Sequence, residues 1–437
     1  METKPKLDRK VTTSSVIGTI IEWYDFYIYG TASALVFGAV FFPQFDPIVG
    51  TLAAFGTFAV GFLARPIGAA VFGHFGDRIG RKKMLIYSLV GMGLATFLVG
   101  CLPGYATIGI WAPILLLLLR LVQGFCLGGE WGGAMLLSVE HAPAGRKNLA
   151  GAVVQMGSPA GLVLSSIVVA VFSALPGDAS LTWAWRLPFL LSAVLVVVGL
   201  FIRLRVEESP VFIEMRERKQ ESRAPLFRTF RKAPLQVLVG VLLTCGPFGY
   251  FYFLTTFLLS FGVQRLHFER QFLLIAVAVA AAIEIGTLAL AGLLADRVGR
   301  SRIFVSGAIG LLVFAFPMVG LMVRFAGNGV VLILVMIVAM TLIHPLTYAL
   351  LSMMFAELFT PDIRYTGVSL AFQFGGVVGG FSPLILTSLL TTDAWPWLVP
   401  GYLALLSALS LIGAVGLILA KRREERTVAG QAVVQPV

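Results

Sequence analysis

The 437-residue chain is 58% hydrophobic and 13% charged, with a mean hydropathy of +0.91, too little charge to cover a soluble protein of this size. Its net charge of +11 is gathered in segments between apolar runs, so it reads as a membrane-topology signal and excludes nucleic-acid binding. The sequence has no Walker loop, nucleophile elbow or zinc-type His/Cys set, so neither ATP hydrolysis nor other catalysis, and no metal or cofactor, is expected.

Twelve apolar runs, each long enough to cross a bilayer as a helix, are predicted. They fall near 16–40, 51–75, 84–102, 108–138, 149–173, 186–203, 235–260, 271–295, 302–323, 329–356, 365–390 and 396–420. The first is too long for a signal peptide and lacks a small-residue cleavage site, so it is expected to be a retained helix. It carries Glu22 and Asp25, three residues apart on one helix face that Tyr29 continues. A charge in a span costs about 2.5–3.5 kcal/mol, so each needs a reason. Span 2 contains Arg65 before Pro66, and this cation either binds a substrate carboxylate or pairs with a local acid.

Span 4 carries Arg120, Gln123 and Glu130 on one stripe. At the helical rise, Asp25 lies about 14 Å and Arg120 about 15 Å into the bilayer from opposite faces. Matched depth predicts an ion pair in a central cavity. It is either a structural lock or a coupling device, in which a substrate anion engages Arg120 and frees the carboxylate to take a proton. Span 5 holds Gln155 and a packing or hinge site at Gly157–Gly161.

Residues 204–234 form a charged segment with three prolines, read as the linker between domains 1–203 and 235–437. In the second half, Glu284 of span 8 and His344 of span 10 are polar insertions. His344 reads as a hydrogen-bonded helix contact or as a proton relay. Tyr250, Tyr252, Tyr348 and Gln373 offer hydrogen bonds to a polar ligand. The three cysteines fall in apolar spans and read as buried small hydrophobes.

The halves are related by duplication. Gly73-His-Phe-Gly-Asp77-Arg78-Ile-Gly-Arg81 returns as Gly292-Leu-Leu-Ala-Asp296-Arg297-Val-Gly-Arg300, an offset of 219 residues between the aspartates. Glu140 and Arg146 after span 4 return as Glu357 and Arg364 after span 10, and Gln155 returns as Gln373, 218 residues on. These ten loop residues are expected to form a charge network that ties helices together at the cytoplasmic face and breaks during transport: Asp77, Arg78, Arg81, Glu140, Arg146, Asp296, Arg297, Arg300, Glu357 and Arg364. The N-terminus, the 78–83 loop, the linker and the C-terminus are basic, whereas 41–50, 103–107 and 174–185 lack Lys and Arg. Both termini are therefore expected in the cytoplasm.

The repeated loop between long apolar runs resembles that of major facilitator transporters. Glu22-Trp-Tyr-Asp-Phe26, Arg65-Pro-Ile-Gly68, Phe72–Arg81 and Gln123-Gly…Gly128-Gly-Glu-Trp-Gly-Gly133 are similar to motifs of the metabolite:proton symporter family within that superfamily. Trp23–Phe26, Phe41-Phe-Pro-Gln44 and Gly50–Phe55 are most like its shikimate-carrier branch. The resemblance implies an all-α fold of two pseudo-symmetric six-helix halves. It implies proton-coupled import across a bacterial inner membrane, with a span-1 carboxylate and Arg120 as coupling residues. Osmosensing members end in a long coiled coil, and 429–437 has no heptads, so an osmosensor is disfavoured. The leading expectation is a monomeric importer of a small organic acid such as shikimate or a dicarboxylate, working by alternating access. Arg120, Arg65, Gln123, Tyr29, Tyr250, His344, Tyr348 and Gln373 are its candidate substrate contacts. An exporter or exchanger of the same fold, and a transport-inactive membrane sensor, are the alternatives.

Overall fold

The computed structural model describes residues 9–79, 81–128, 135, 138–139, 142, 145–175, 179–205, 233–360 and 363–434. Twelve long helical segments run through them. They are α1 (Arg9–Leu35), α2 (Pro47–Ile79), α3 (Arg81–Cys101), α4 (Trp111–Leu127), α5 (Lys147–Ser173) and α6 (Leu187–Arg205). The second set is α7 (Pro234–Gln264), α8 (Arg270–Val298), α9 (Arg300–Arg324), α10 (Gly329–Leu358), α11 (Arg364–Leu389) and α12 (Trp395–Val434). Among the described residues nine helices are long and apolar enough to cross a bilayer; the apolar parts of α3 and α4 are shorter, and α1 is the twelfth segment, outside both groups. The linker lies mostly outside the described residues. α12 runs helically beyond the expected span end at 420 to Val434, through Lys421–Arg426, a run of good helix formers.

Within the first half α2 packs on α4, α1 on α5 and α6, and α3 on α4 and α6. Within the second, α7 packs on α11 and α12, and α9 on α12. The halves meet along α2–α11 and α5–α8. This arrangement buries the polar stripes of α1, α4, α7 and α10 towards one centre and leaves apolar side chains such as Leu63, Val197, Val313 and Leu405 exposed where lipid would lie.

Glycine sets the closest crossing. A Cβ on Gly124 of α4 or on Gly128 at its C-terminal end would fall on the carbonyl oxygens of Gly61 or Arg65 of α2, and one on Gly68 would fall on Phe125 O. Two backbones in contact gain dispersion where no hydrophobic force separates helix from lipid. That approach carries Arg65 and Arg120 to the same level of the bundle.

The second half contains two irregularities that periodicity did not signal. Phe253–Phe257 in α7 and Ile337–Ile343 in α10 are π-helical, and His344 N donates to Ala339 O at 2.9 Å. Pro247 cannot donate to Leu243 O. Ser410 of α12 compensates, with its hydroxyl 3.1 Å from Leu243 O and accepting from Gly246 N at 2.7 Å.

Gly124→Ala should therefore destabilise the protein by about 1–3 kcal/mol, the range for overpacking. Gly286→Ala in α8, which meets nothing within 4 Å, should be neutral or slightly stabilising. Thermal unfolding in detergent of both variants checks the pair.

Candidate functional site

Arg65 and Arg120 are each 1% exposed. The Arg120 chain lies over Gly61, where any Cβ would strike it. Its guanidinium carbon sits 4.2 Å from the Tyr29 ring centre, 4.6 Å from Phe26 and 4.9 Å from Phe58. Arg65 faces Phe62 at 5.3 Å, Phe26 at 5.6 Å and Trp23 at 6.0 Å. The two cations thus share the Phe26 ring and are close enough to repel each other.

Their hydrogen bonds go to amides. Arg120 Nη1 donates to Gln123 Oε1, and Arg65 Nε donates to Gln373 Oε1 at 2.8 Å. Arg120 Nε and Nη2 and Arg65 Nη2 have no partner among the described residues. Each ring contributes about 0.5–2 kcal/mol of cation–π attraction. The desolvation penalty is several kcal/mol per buried ion. Aromatic stacking alone leaves these charges short of a counter-ion.

The expected Asp25–Arg120 ion pair is not formed. Asp25 is fully buried, but its charged neighbourhood does not include Arg120. Neither carboxylate oxygen has a hydrogen-bond partner among the described residues; Thr96 of α3 is the polar side chain beside it. Thr96 donates to Met92 O at 2.9 Å and accepts from Gln123 Nε2 at 2.8 Å. Matched depth was insufficient because azimuth also counts. A three-residue step turns a helix by about 300°, so Asp25 stands roughly 60° off the direction of Glu22 and looks at α3. Glu22 stands within electrostatic reach of Arg65 and Tyr348 instead. The shared face expected for Glu22 and Asp25 is therefore split between two neighbours. Tyr29 lies under Arg120 and accepts from or donates to Thr57 Oγ1 at 2.8 Å.

From the second half come Gln373, Tyr348 and His344. Gln373 Nε2 donates to Gly128 O at 3.0 Å, and its repeat partner Gln155 Nε2 donates to Tyr348 O at 3.3 Å. The duplicated glutamines thus each clasp a backbone carbonyl of the opposite half. His344 Nδ1 lies 2.5 Å from Glu284 Oε1. Tyr250 is not brought to the centre, because its hydroxyl donates to Leu311 O of α9. Tyr252 stands there instead, packed against Phe26, Phe58 and Phe62, with its ring centre 5.6 Å from that of Phe62. The Phe26, Phe58 and Phe62 box and Thr96 went unnoticed in the sequence. Aromatics at four-residue spacing in α2 were the available signal for the box, and nothing singled out Thr96.

At the end carrying the repeated loops, Asp296 of α8 accepts from Asn148 N and Leu149 N at 3.1 Å each and from Asn148 Nδ2 at 2.7 Å. It holds the first turn of α5 where the helix dipole favours an anion. Arg300 Nε donates to Glu357 Oε2 at 2.9 Å, with a second bond from Nη2 to Oε1, a bidentate pair. Arg364 Nε donates to Phe359 O at 3.2 Å, while Arg146 and Arg297 are exposed. Glu130 and Glu140, and the side chains of Asp77, Arg78 and Arg81, lie outside the described residues. At the far end Gln264 Nε2 donates to Thr51 Oγ1 at 3.1 Å. Contacts between the halves at both ends and in the middle enclose the polar centre.

The family model for the Major Facilitator Superfamily matches residues 15–383. The chain is 40% identical over 393 residues to the shikimate transporter of Escherichia coli K12, covering 89% of each protein. It is 39% identical over 413 residues, 92% of each, to the inner membrane metabolite transport protein YhjE of the same strain. The proline/betaine transporter of Salmonella typhimurium LT2 is 33% identical over 435 residues, 97% of this chain and 85% of that one. The crystal structure of a D-xylose-proton symporter superposes with a TM-score of 0.71 at 18% identity, covering 93% of this chain and 96% of that chain, which shows the shared fold. The chain is a multi-pass membrane transporter, not an enzyme, and it belongs to the Major Facilitator Superfamily.

Proposed function

We propose that the chain is a proton-coupled importer of a small organic acid such as shikimate or a dicarboxylate. It works by alternating access in a bacterial inner membrane, with both termini cytoplasmic. The observation that carries this reading is the pair of buried guanidiniums with unpartnered N–H groups in one enclosed, ring-lined centre. A planar carboxylate supplies the missing counter-charge and accepts two parallel bonds from one guanidinium. The surrounding rings suit the carbon skeleton of a compact acid. Asp25, buried without a hydrogen-bond partner for its carboxylate among the described residues, is the group best suited to carry the proton, with Glu22 beside Arg65 linking the substrate-binding cation to α1. The likeness to a shikimate transporter supports the same substrate class. Asp296, Arg300 and Glu357 serve as the cytoplasmic gate in the second half, and Asp77, Arg78, Arg81, Glu140, Arg146, Arg297 and Arg364 complete it. Counterflow and uptake in proteoliposomes, with and without a protonophore, separate symport from export or exchange.

Arg120→Lys keeps the charge but loses the planar fork. It should weaken acid binding by roughly ten- to a hundred-fold, the loss of one charge-assisted bond of about 1.5–3 kcal/mol. Direct radioligand binding checks it, and unchanged affinity would remove Arg120 from the ligand. Asp25→Asn should abolish accumulation against a gradient and retain exchange; accumulation at the wild-type level would take the proton away from Asp25. Asp296→Asn replaces a charged acceptor of three N–H groups by a neutral amide. It should open the cytoplasmic end and raise labelling of a cysteine placed behind Asn148, whereas unaltered labelling would reduce the loop to a topology signal.

A further inference from the structure

We propose that Glu284 and His344 form a proton-binding site in the second half, separate from the α1 carboxylates, in which one shared proton holds α7, α8 and α10 together. The inference rests on the proton-coupled reading above and adds a second proton to it.

Both residues are fully enclosed, Glu284 at 0% and His344 at 1% exposure. His344 Nε2 lies 3.2 Å from Pro247 O of α7. A carbonyl only accepts, so Nε2 carries a hydrogen. His344 Nδ1 lies 2.5 Å from Glu284 Oε1 of α8. An ionised carboxylate also only accepts, so a proton stands between these two atoms, on one or the other. The pair therefore holds one proton more than an ionised glutamate beside a neutral imidazole, and its net charge is zero. That balance removes the cost of a lone buried ion.

Loss of this proton cannot leave the joint intact. If the remaining ring hydrogen stays on Nε2, the Nδ1 lone pair faces the carboxylate across 2.5 Å. If it moves to Nδ1, the Nε2 lone pair faces the Pro247 carbonyl. Either the α10–α8 link or the α10–α7 link becomes repulsive. The N–H or O–H bond that breaks gives its proton to water, with Glu284 Oε2, which has no partner, as the free oxygen for that transfer.

The joint lies where helices can change register. His344 directly follows the π-helical Ile337–Ile343 and precedes Pro345, and Pro247 lies one turn and a half before the π-helical Phe253–Phe257. Among the described residues the titratable groups around the pair are tyrosines. Tyr348 of α10 stacks on the imidazole with ring centres 5.1 Å apart. Tyr27 of α1, bonded to Ser158 of α5 at 2.5 Å, and Tyr252 of α7 complete the set, with Glu22 in reach of Tyr348. Tyr348 and Glu22 thus connect this joint with Arg65, so an anion at the centre and a proton at the joint are sensed through the same side chains.

The test uses the full chain in detergent micelles with 15N-imidazole-labelled histidine. His74, His141 and His267 are replaced by Asn so that only His344 reports, and difference spectra of wild type against His344→Gln give the same signal without the triple Asn replacement. At neutral pH the expected result is one of two signatures: a doubly protonated ring, or a neutral ring with a protonated-carboxyl infrared band that vanishes in Glu284→Gln. Glu284→Gln should also leave a neutral His344 with its hydrogen on Nε2, lose protonophore-sensitive accumulation and keep counterflow. A neutral ring beside an ionised Glu284, or full accumulation in Glu284→Gln, overturns the proposal. Wild-type accumulation that ignores the protonophore would instead defeat the symport reading, and the spectra would still decide whether the pair holds its proton.

Discussion

Two guanidinium groups are taken out of water with no carboxylate bonded to either among the described residues, and the arrangement of the centre answers to that constraint. The cost of desolvating each is several kcal/mol, and stacking on Phe26, Tyr29, Phe58 and Phe62 recovers part of it. Gln123 and Gln373 satisfy single N–H groups, not charges. Everything else in the centre follows from that imbalance. The α2–α4 glycine crossing makes room for Arg120, the rings surround both cations, and the proposed substrate anion is the third partner.

The duplication gives the two halves the same framework and different chemistry. Gln155 and Gln373 repeat each other's role, each gripping a carbonyl across the interface. The first half places the two cations and Glu22 on its face of the centre, with Asp25 turned to α3. The second places neutral hydroxyls, an amide and the Glu284–His344 pair on its own. The symmetric frame thus carries asymmetric contents, with both buried cations on one side of the interface.

The fold was legible because its determinants are one-dimensional. Apolar run length and the spacing of the repeated loop specify twelve helices in two halves with no knowledge of packing. The polar centre was legible in part, since charges within spans are expensive and so stand out: Arg65, Arg120, Asp25, Glu284 and His344 all proved buried. What failed was rotation about the helix axis. Depth along α1 could be counted, but whether Asp25 faces Arg120 or Thr96 depends on how α1 is turned against α3 and α4, which tertiary packing decides. Tyr250 and Tyr252 show the same limit, two residues apart on one helix with only the second at the centre. The π-helical turns of α7 and α10 also escaped, because one residue of extra register leaves no mark in composition.

The central claim is that the ligand completes the charge balance at Arg65 and Arg120. It is tested most directly by titrating purified protein with an acid that binds and with the carboxamide of the same skeleton, which keeps shape and one acceptor and removes the charge. Calorimetry should show saturable binding of the acid and none of the amide over the same concentration range. Equal affinity for the two would contradict the account.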